Sequence, residues 1–348
     1  MAPVNPLEDD LNFITGQTRG LWEEARGKRF FITGGTGFFG CWLLESFCHA
    51  NRTLALDASA TVLTRDSCGF RSKAPHLAND SAIEFLDGDV RSFNFPSGEF
   101  ACVVHAATDP GSAHSTQLEL LDTIVEGTRH VLQFAVASRV QKLVLTSSGA
   151  VYGTQPPEVE KMAESFSGSP DLTSPRAFYG EGKRMAELLC HLYSQGSTLQ
   201  CKVARCFAFA GPHLPLDANF AIGNFIGNAL RREPLRITGD GTPLRSYLYM
   251  ADAMIWLWTI LFRAPSARAY NLGSDQALSI RELAQRVANV LSPAAEIIVE
   301  QQPVPGRLPM RYVPSIALAK QELGLSPTVD LDEAIRRTAN WYKSLPRN

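Results

Sequence analysis

The sequence predicts an α/β protein: a doubly wound parallel sheet with a smaller, mostly C-terminal domain. Three observations predict it. Short apolar runs recur at 29–33, 60–64, 83–87, 101–106 and 142–147, with helical runs such as 38–50 and 115–137 between them. Strands alternating with helices need right-handed crossovers, and these make a sheet parallel. Four glycines, Gly34, Gly35, Gly37 and Gly40, stand between the first strand and the first helix. One glycine permits a tight turn, another lets backbone approach a pyrophosphate, and a third lets the helix pack on the strand. Together these describe a Rossmann-type sheet with a phosphate cradle.

Each stretch can be justified in order. Residues 1–28 form a leader in which Leu11, Phe13, Ile14, Leu21 and Trp22 supply an apolar side that can pack on the body. Residues 29–205, with parts of the later chain, make the dinucleotide-binding domain. After about residue 205 the alternation loosens. Helical runs at 219–232, 251–263, 279–291 and 331–344 are separated by loops containing Pro and Gly. Residues 206–348 are therefore read as mostly a substrate-binding domain.

Composition excludes several classes. With 348 residues and 45% apolar content the chain can bury a large core, and a net charge of −2 gives no field for nucleic acid or an anionic membrane. No apolar run approaches the roughly 18 residues needed to span a bilayer. The first ten residues lack a basic region followed by an apolar core, so no signal peptide is expected. The seven cysteines are odd in number and none are spaced as C-x-x-C. They predict reduced, buried thiols in a cytoplasmic protein, with no disulfide framework and no metal site.

The chemistry lies at two places. The fifth strand runs into Thr146-Ser147-Ser148-Gly149-Ala150-Val151-Tyr152-Gly153, and Tyr179-Gly180-Glu181-Gly182-Lys183 opens a helix. A Tyr and a Lys four apart share one helix face. The Lys charge is expected to lower the tyrosine pKa. A strand-end hydroxyl can bond the same substrate oxygen, so a proton can move at an alcohol while a nicotinamide exchanges a hydride. His105, after Val103-Val104, reads as a packed strand-end residue, and Asp109 as a loop or cap residue.

With these motifs the chain resembles the extended short-chain dehydrogenase/reductase family, in its nucleotide-sugar epimerase/dehydratase branch, over roughly residues 28–343. The resemblance implies that Ser148 is the active-site hydroxyl and Tyr179 the acid/base. It implies that Lys183 binds the nicotinamide ribose and tunes Tyr179. Cofactor contacts are implied at Gly34, Gly37, Phe38, Phe39, Gly40, Thr64, Arg65, Asp89, Val90, Ala106, Ala107, Tyr179 and Lys183. Arg65 stands where a carboxylate would favour NAD(H), so NADP(H) is the favoured cofactor and NAD(H) the alternative. Ser148, Asn224, Arg245 and Arg307 are the substrate candidates. Arg245, in Thr242-Pro243-Leu244-Arg245-Ser246-Tyr247, and Arg307 are implied to grip a sugar-nucleotide diphosphate. A homodimer through helices 115–137 and 179–195 is also implied.

Departures from the family pattern narrow the reaction. Dehydratases of this branch carry acid/base groups just after the active-site hydroxyl, and decarboxylases commonly a Glu nearby; here Gly149 and Ala150 stand there. Ile124 replaces a usual Asn, and Ala208 a substrate-facing Asn. The leading expectation is a reductase of a 4-keto-deoxysugar nucleotide. A nucleotide-sugar 4-epimerase with retained NAD is the alternative, and a non-catalytic cofactor sensor is a third reading.

Overall fold

A computed structural model describes residues 5–108, 116–218 and 220–345. Seven strands form the central sheet: β1 (Arg29–Thr33), β2 (Ser59–Thr64), β3 (Ile83–Asp87), β4 (Cys102–His105), β5 (Lys142–Ser148), β6 (Gln200–Cys206) and β7 (Arg268–Leu272). Their spatial order is β7-β6-β5-β4-β1-β2-β3, and every pairing is parallel. The order reverses between β1 and β4, so their C-terminal ends open a crevice at the switch point. The expected strands fall within one residue of those observed. Asp109 and Asn219 lie outside the described residues.

Strand side chains alternate between two apolar layers. Phe30, Ile32 and Val144 face one layer; Phe31, Leu143 and Leu145 face the other. The first layer is covered by α2 (Phe38–Thr53) and α6 (Met250–Arg263). The second is covered by α3 (Gln117–Ala137) and α4 (Ala177–Gly196). Helix α3 begins with a reciprocal capping box between Thr116 and Glu119.

The leader folds as α1 (Glu8–Thr18) and a short 3-10 helix at Arg19–Ala25. Leu11, Ile14 and Trp22 are fully buried in the first layer. Trp22 packs against Trp258 of α6 with ring centroids 4.7 Å apart and the rings tilted, and Asp10 accepts hydrogen bonds from Tyr249 and Arg337.

After β6 the chain builds a lobe at the C-terminal ends of the strands. It contains α5 (Ala221–Arg231), α7 (Ile280–Leu291) and short pairings. Residues 250–272 return to the main sheet as α6 and β7. The antiparallel pairing of 244–245 with 278–279, and the parallel pairing of 244–245 with 311–312, bring Arg245 and Tyr312 side by side. The last helix among the described residues is α8 (Leu331–Ser344).

Candidate active site

The glycine turn is closed on one side and open on the other. Gly34 follows β1 at φ +73°, and a Cβ there would lie 2.4 Å from the Ala106 carbonyl oxygen. A Cβ on Gly40 would lie 2.2 Å from the Gly34 carbonyl oxygen, so loop and helix meet backbone to backbone. Gly37 is exposed, and a Cβ there would meet nothing nearer than 3.9 Å. It precedes α2, whose N-terminus has no side-chain cap, so first-turn N–H groups remain for a ligand. This cradle fits the pyrophosphate of a dinucleotide.

The flanking strand ends are tied down. The Ala106 and Ala107 N–H groups donate to Thr33 Oγ1, and His105 bridges Thr33 and Thr128 at 2.8 and 3.0 Å. Burial, helped by the Lys183 charge, pulls the His105 pKa down to about 3, so it is a neutral packing residue. At the tip of β2, Thr64 is buried and Arg65 exposed. Asp66 is occupied with capping, its Oδ1 accepting the Gly69 N–H at 2.8 Å. Lys73 Nζ donates to the Thr36 carbonyl of the glycine turn. Asp89 pairs with Arg91, which holds its carboxyl below the usual range, and Val90 packs at Gly127 of α3.

At the reacting end, β5 delivers Ser148 and α4 delivers Tyr179, Lys183 and Glu187 at successive turns. Ser148 Oγ accepts the Ala150 N–H at 3.1 Å, which leaves its own proton to donate elsewhere. Glu187 receives a two-pronged bond from Arg205 on β6, and Ser147 also donates to it. This half-buried pair fixes the end of β5 against α4, and so Ser148 against Tyr179.

The expected lowering of the tyrosine pKa by the lysine charge does not occur: the phenol is shifted upward, and Lys183 is not among the groups that set it. Lys183 Nζ donates to Thr108 Oγ1 at 3.0 Å and to the Thr146 carbonyl at 2.9 Å, and burial pulls its pKa down to about 8. Burial pushes the Tyr179 phenol upward, Tyr312 adds to this, and the Ser148 hydrogen bond only partly offsets it. Desolvation therefore outweighs any help from the lysine charge, and Tyr179 is a protonated acid at neutral pH.

Tyr179, Lys183 and Ser148 line one cavity of about 550 Å³. Phe38, Phe39, Ala106 and Thr108 line it on the glycine-turn side; Arg245, Tyr247, Phe207, Ala208 and Tyr312 line it on the lobe side. Arg245 thus comes to the cavity, its guanidinium 5.9 Å from the centre of the Tyr312 ring. Asn224 and Arg307 do not. Asn224 is half-buried on α5 outside the lining, and Arg307 is exposed on the 300–310 loop beside Asp240. Ile124 is buried in the apolar layer between α3 and α4, which explains why an apolar residue suits that position.

Sequence reasoning missed Tyr312. It arrives from far along the chain, with no motif around it, and lies 3.5 Å from Ser148 Oγ. The available signal was Gly149: a Cβ there would lie 2.7 Å from Phe207 Cζ and 2.8 Å from the Tyr312 hydroxyl. The cysteines are mostly buried, as expected, but Cys68 is exposed and Cys206 lines the cavity. Among the described residues no helix is long and apolar enough to cross a membrane, and no cluster could hold a metal ion.

Comparison with known proteins adds to this geometry. The model of the NAD dependent epimerase/dehydratase family matches residues 30–273. UDP-glucuronic acid decarboxylase 1 of Xenopus tropicalis is 30% identical over 324 residues, 92% of this chain and 73% of that protein. UDP-glucuronic acid decarboxylase 2 of Arabidopsis thaliana is 30% identical over 339 residues, 96% of this chain and 73% of that protein. UDP-glucose 4-epimerase of Thermotoga maritima, solved with UDP-glucose, shares the fold. Its TM-score is 0.75 at 19% identity, covering 90% of this chain and 98% of that one. A dTDP-glucose 4,6-dehydratase of Streptomyces venezuelae, solved with NAD, has a TM-score of 0.74 at 23% identity, covering 90% and 97%.

Proposed function

This chain belongs to the NAD-dependent epimerase/dehydratase family, and from that premise we propose that it reduces the C4 carbonyl of a nucleotide-linked 4-keto-deoxysugar. Members of the family are NAD-dependent enzymes. The observation that carries the finer reading is a chemical absence. Among the described residues lining the cavity, none is an Asp, Glu or His. Dehydration and uronic-acid decarboxylation in this branch use acid/base groups beside the active-site hydroxyl. Here Gly149 and Ala150 hold those positions, and Phe207 and Tyr312 fill the space beside Gly149. Reduction at C4 needs only one acid.

The bound dinucleotide supplies the hydride. Ser148 donates a hydrogen bond to the C4 oxygen and orients it. Tyr179, kept protonated by burial, gives its proton to that oxygen. Lys183 holds the cofactor ribose through its remaining donor. Arg245 is the candidate grip on the diphosphate, since a guanidinium matches phosphate oxygens. The cradle formed by Gly34, Gly37, Phe38, Phe39 and Gly40 holds the pyrophosphate, with Thr64, Asp89, Val90, Ala106 and Ala107 along the rest of the groove. Arg65 is exposed at the ribose end while Asp66 caps its own helix, which supports NADP(H) over NAD(H). The second reading is a 4-epimerase, which uses the same residues and a retained cofactor, and a solved 4-epimerase shares this fold.

The test is incubation with 4-keto and parent nucleotide sugars, each with NADPH and NADH, and product identification by mass and NMR. Stoichiometric consumption of reduced cofactor with a 4-keto substrate supports the reductase. Inversion at C4 without net consumption replaces it with the epimerase. Tyr179→Phe should lose about 100-fold or more of turnover and still bind dinucleotide. Full activity in that variant would remove Tyr179 from its role.

A further inference from the structure

Two hydroxyls were expected at the reacting oxygen, and a third stands beside them. Tyr312 lines the same cavity, 3.5 Å from Ser148 Oγ, at the outer limit of a hydrogen bond. The two groups are therefore not locked to each other, and both can donate to one oxygen that sits to the cavity side of the pair, within reach of each. The phenol is held on three sides. Its ring packs on Phe207 with centroids 4.7 Å apart. Its short strand pairs with 244–245, with Tyr312 opposite Arg245. Its hydroxyl stands against position 149, where a Cβ would come within 2.8 Å of it.

We propose that Tyr312 is a third catalytic hydroxyl, donating a hydrogen bond to the sugar C4 oxygen beside Ser148 and Tyr179. This rests on the C4 reading above. As the carbonyl carbon accepts hydride, the carbonyl π electrons move onto oxygen. That oxygen takes its proton from Tyr179. Tyr312 stabilises the growing negative charge and keeps its own proton throughout. Burial pushes its phenol up to about 12, so it stays a donor across the working range. The glycine at 149 has a positive purpose in this scheme. A side chain there would crowd both Phe207 and the Tyr312 hydroxyl, so an acid at 149 does not fit beside the phenol in its present place.

The test compares Tyr312→Phe with the wild-type chain on whichever nucleotide sugar the wild type turns over at C4. The ring and its packing remain, and only the hydroxyl goes. The expected result is a kcat lower by roughly 10- to 100-fold, with KM and unfolding midpoint little changed. Gly149→Ala, whose Cβ would displace the phenol, should lower kcat similarly while substrate still binds. Unchanged kcat in Tyr312→Phe, with loss only in Gly149→Ala, would mean that Tyr312 merely packs and would overturn the proposal. A fall in thermal midpoint that parallels the loss of kcat in Tyr312→Phe would overturn it as well. Wild-type turnover by epimerisation instead of reduction refutes the reductase reading alone, since both reactions pass through the C4 oxygen. Turnover of neither kind refutes the C4 reading and Tyr312 with it.

Discussion

Lys183 carries its charge in a place that disfavours charge. Two of its three donors are used by Thr108 and the Thr146 carbonyl, and its pKa is drawn to about 8. Tyr179 and Tyr312 are pushed the opposite way, so both phenols remain protonated when the lysine begins to lose its proton. The sign for activity follows. Reductive turnover should be level near pH 6–7 and fall as pH rises through about 8, because the ammonium is lost while the acid is kept. A pH–rate profile checks this; a profile level to pH 10 would show that the Lys183 charge is not needed. His105 adds no limb of its own, being neutral down to about pH 3.

The glycine turn and α4 each do their work as elements. In the turn, Gly34 and Gly40 close the backbone while Gly37 leaves its outer face free. Gly40→Ala would set a methyl against a carbonyl oxygen that cannot move aside cheaply. We expect a stability loss of about 1–3 kcal/mol and at least a tenfold weaker dinucleotide affinity, read by thermal unfolding and cofactor titration. Wild-type affinity in that variant would show that the turn does not hold the cofactor. In α4, the spacing of Tyr179, Lys183 and Glu187 puts the proposed acid, the proposed ribose ligand and the structural anchor on one face. The anchor reaches across to Arg205 and Ser147, which keeps the catalytic face in register with the end of β5.

At the scale of the molecule, one apolar layer joins α1, the sheet, α6 and the lobe. Asp10 ties the leader to Tyr249 and Arg337, groups from α8 and the stretch before α6. The opposite surface, over α3 and α4, exposes Leu118, Met185, Leu188 and Leu192. Such a row on two neighbouring helices suits self-association, and we expect a homodimer in solution. Light scattering of Leu188→Glu/Leu192→Glu should report a monomer with the fold intact. An unchanged assembly in that variant would place the interface elsewhere.

The sheet, the glycine turn and the trio Ser148, Tyr179 and Lys183 were legible because each is local. Short apolar runs, a glycine spacing and a four-residue helical step are all written within a few residues of one another. Arg245 was legible for the same reason, standing in a recognisable segment, whereas Arg307 lay in a loop with no periodicity to orient it and ended in solvent. The direction of the tyrosine shift was not legible, since it depends on how much water the fold removes. Tyr312 was not legible either. By itself the sequence determined the parallel sheet, the glycine turn and the helix that carries Tyr179 and Lys183, because local spacing sets local geometry. Only the tertiary structure decided which distant side chain fills the space left by Gly149, and which ionisable groups are stripped of solvent. Those outcomes are set by the packing of the lobe over the strand ends, a relation between segments that no single stretch of the chain records.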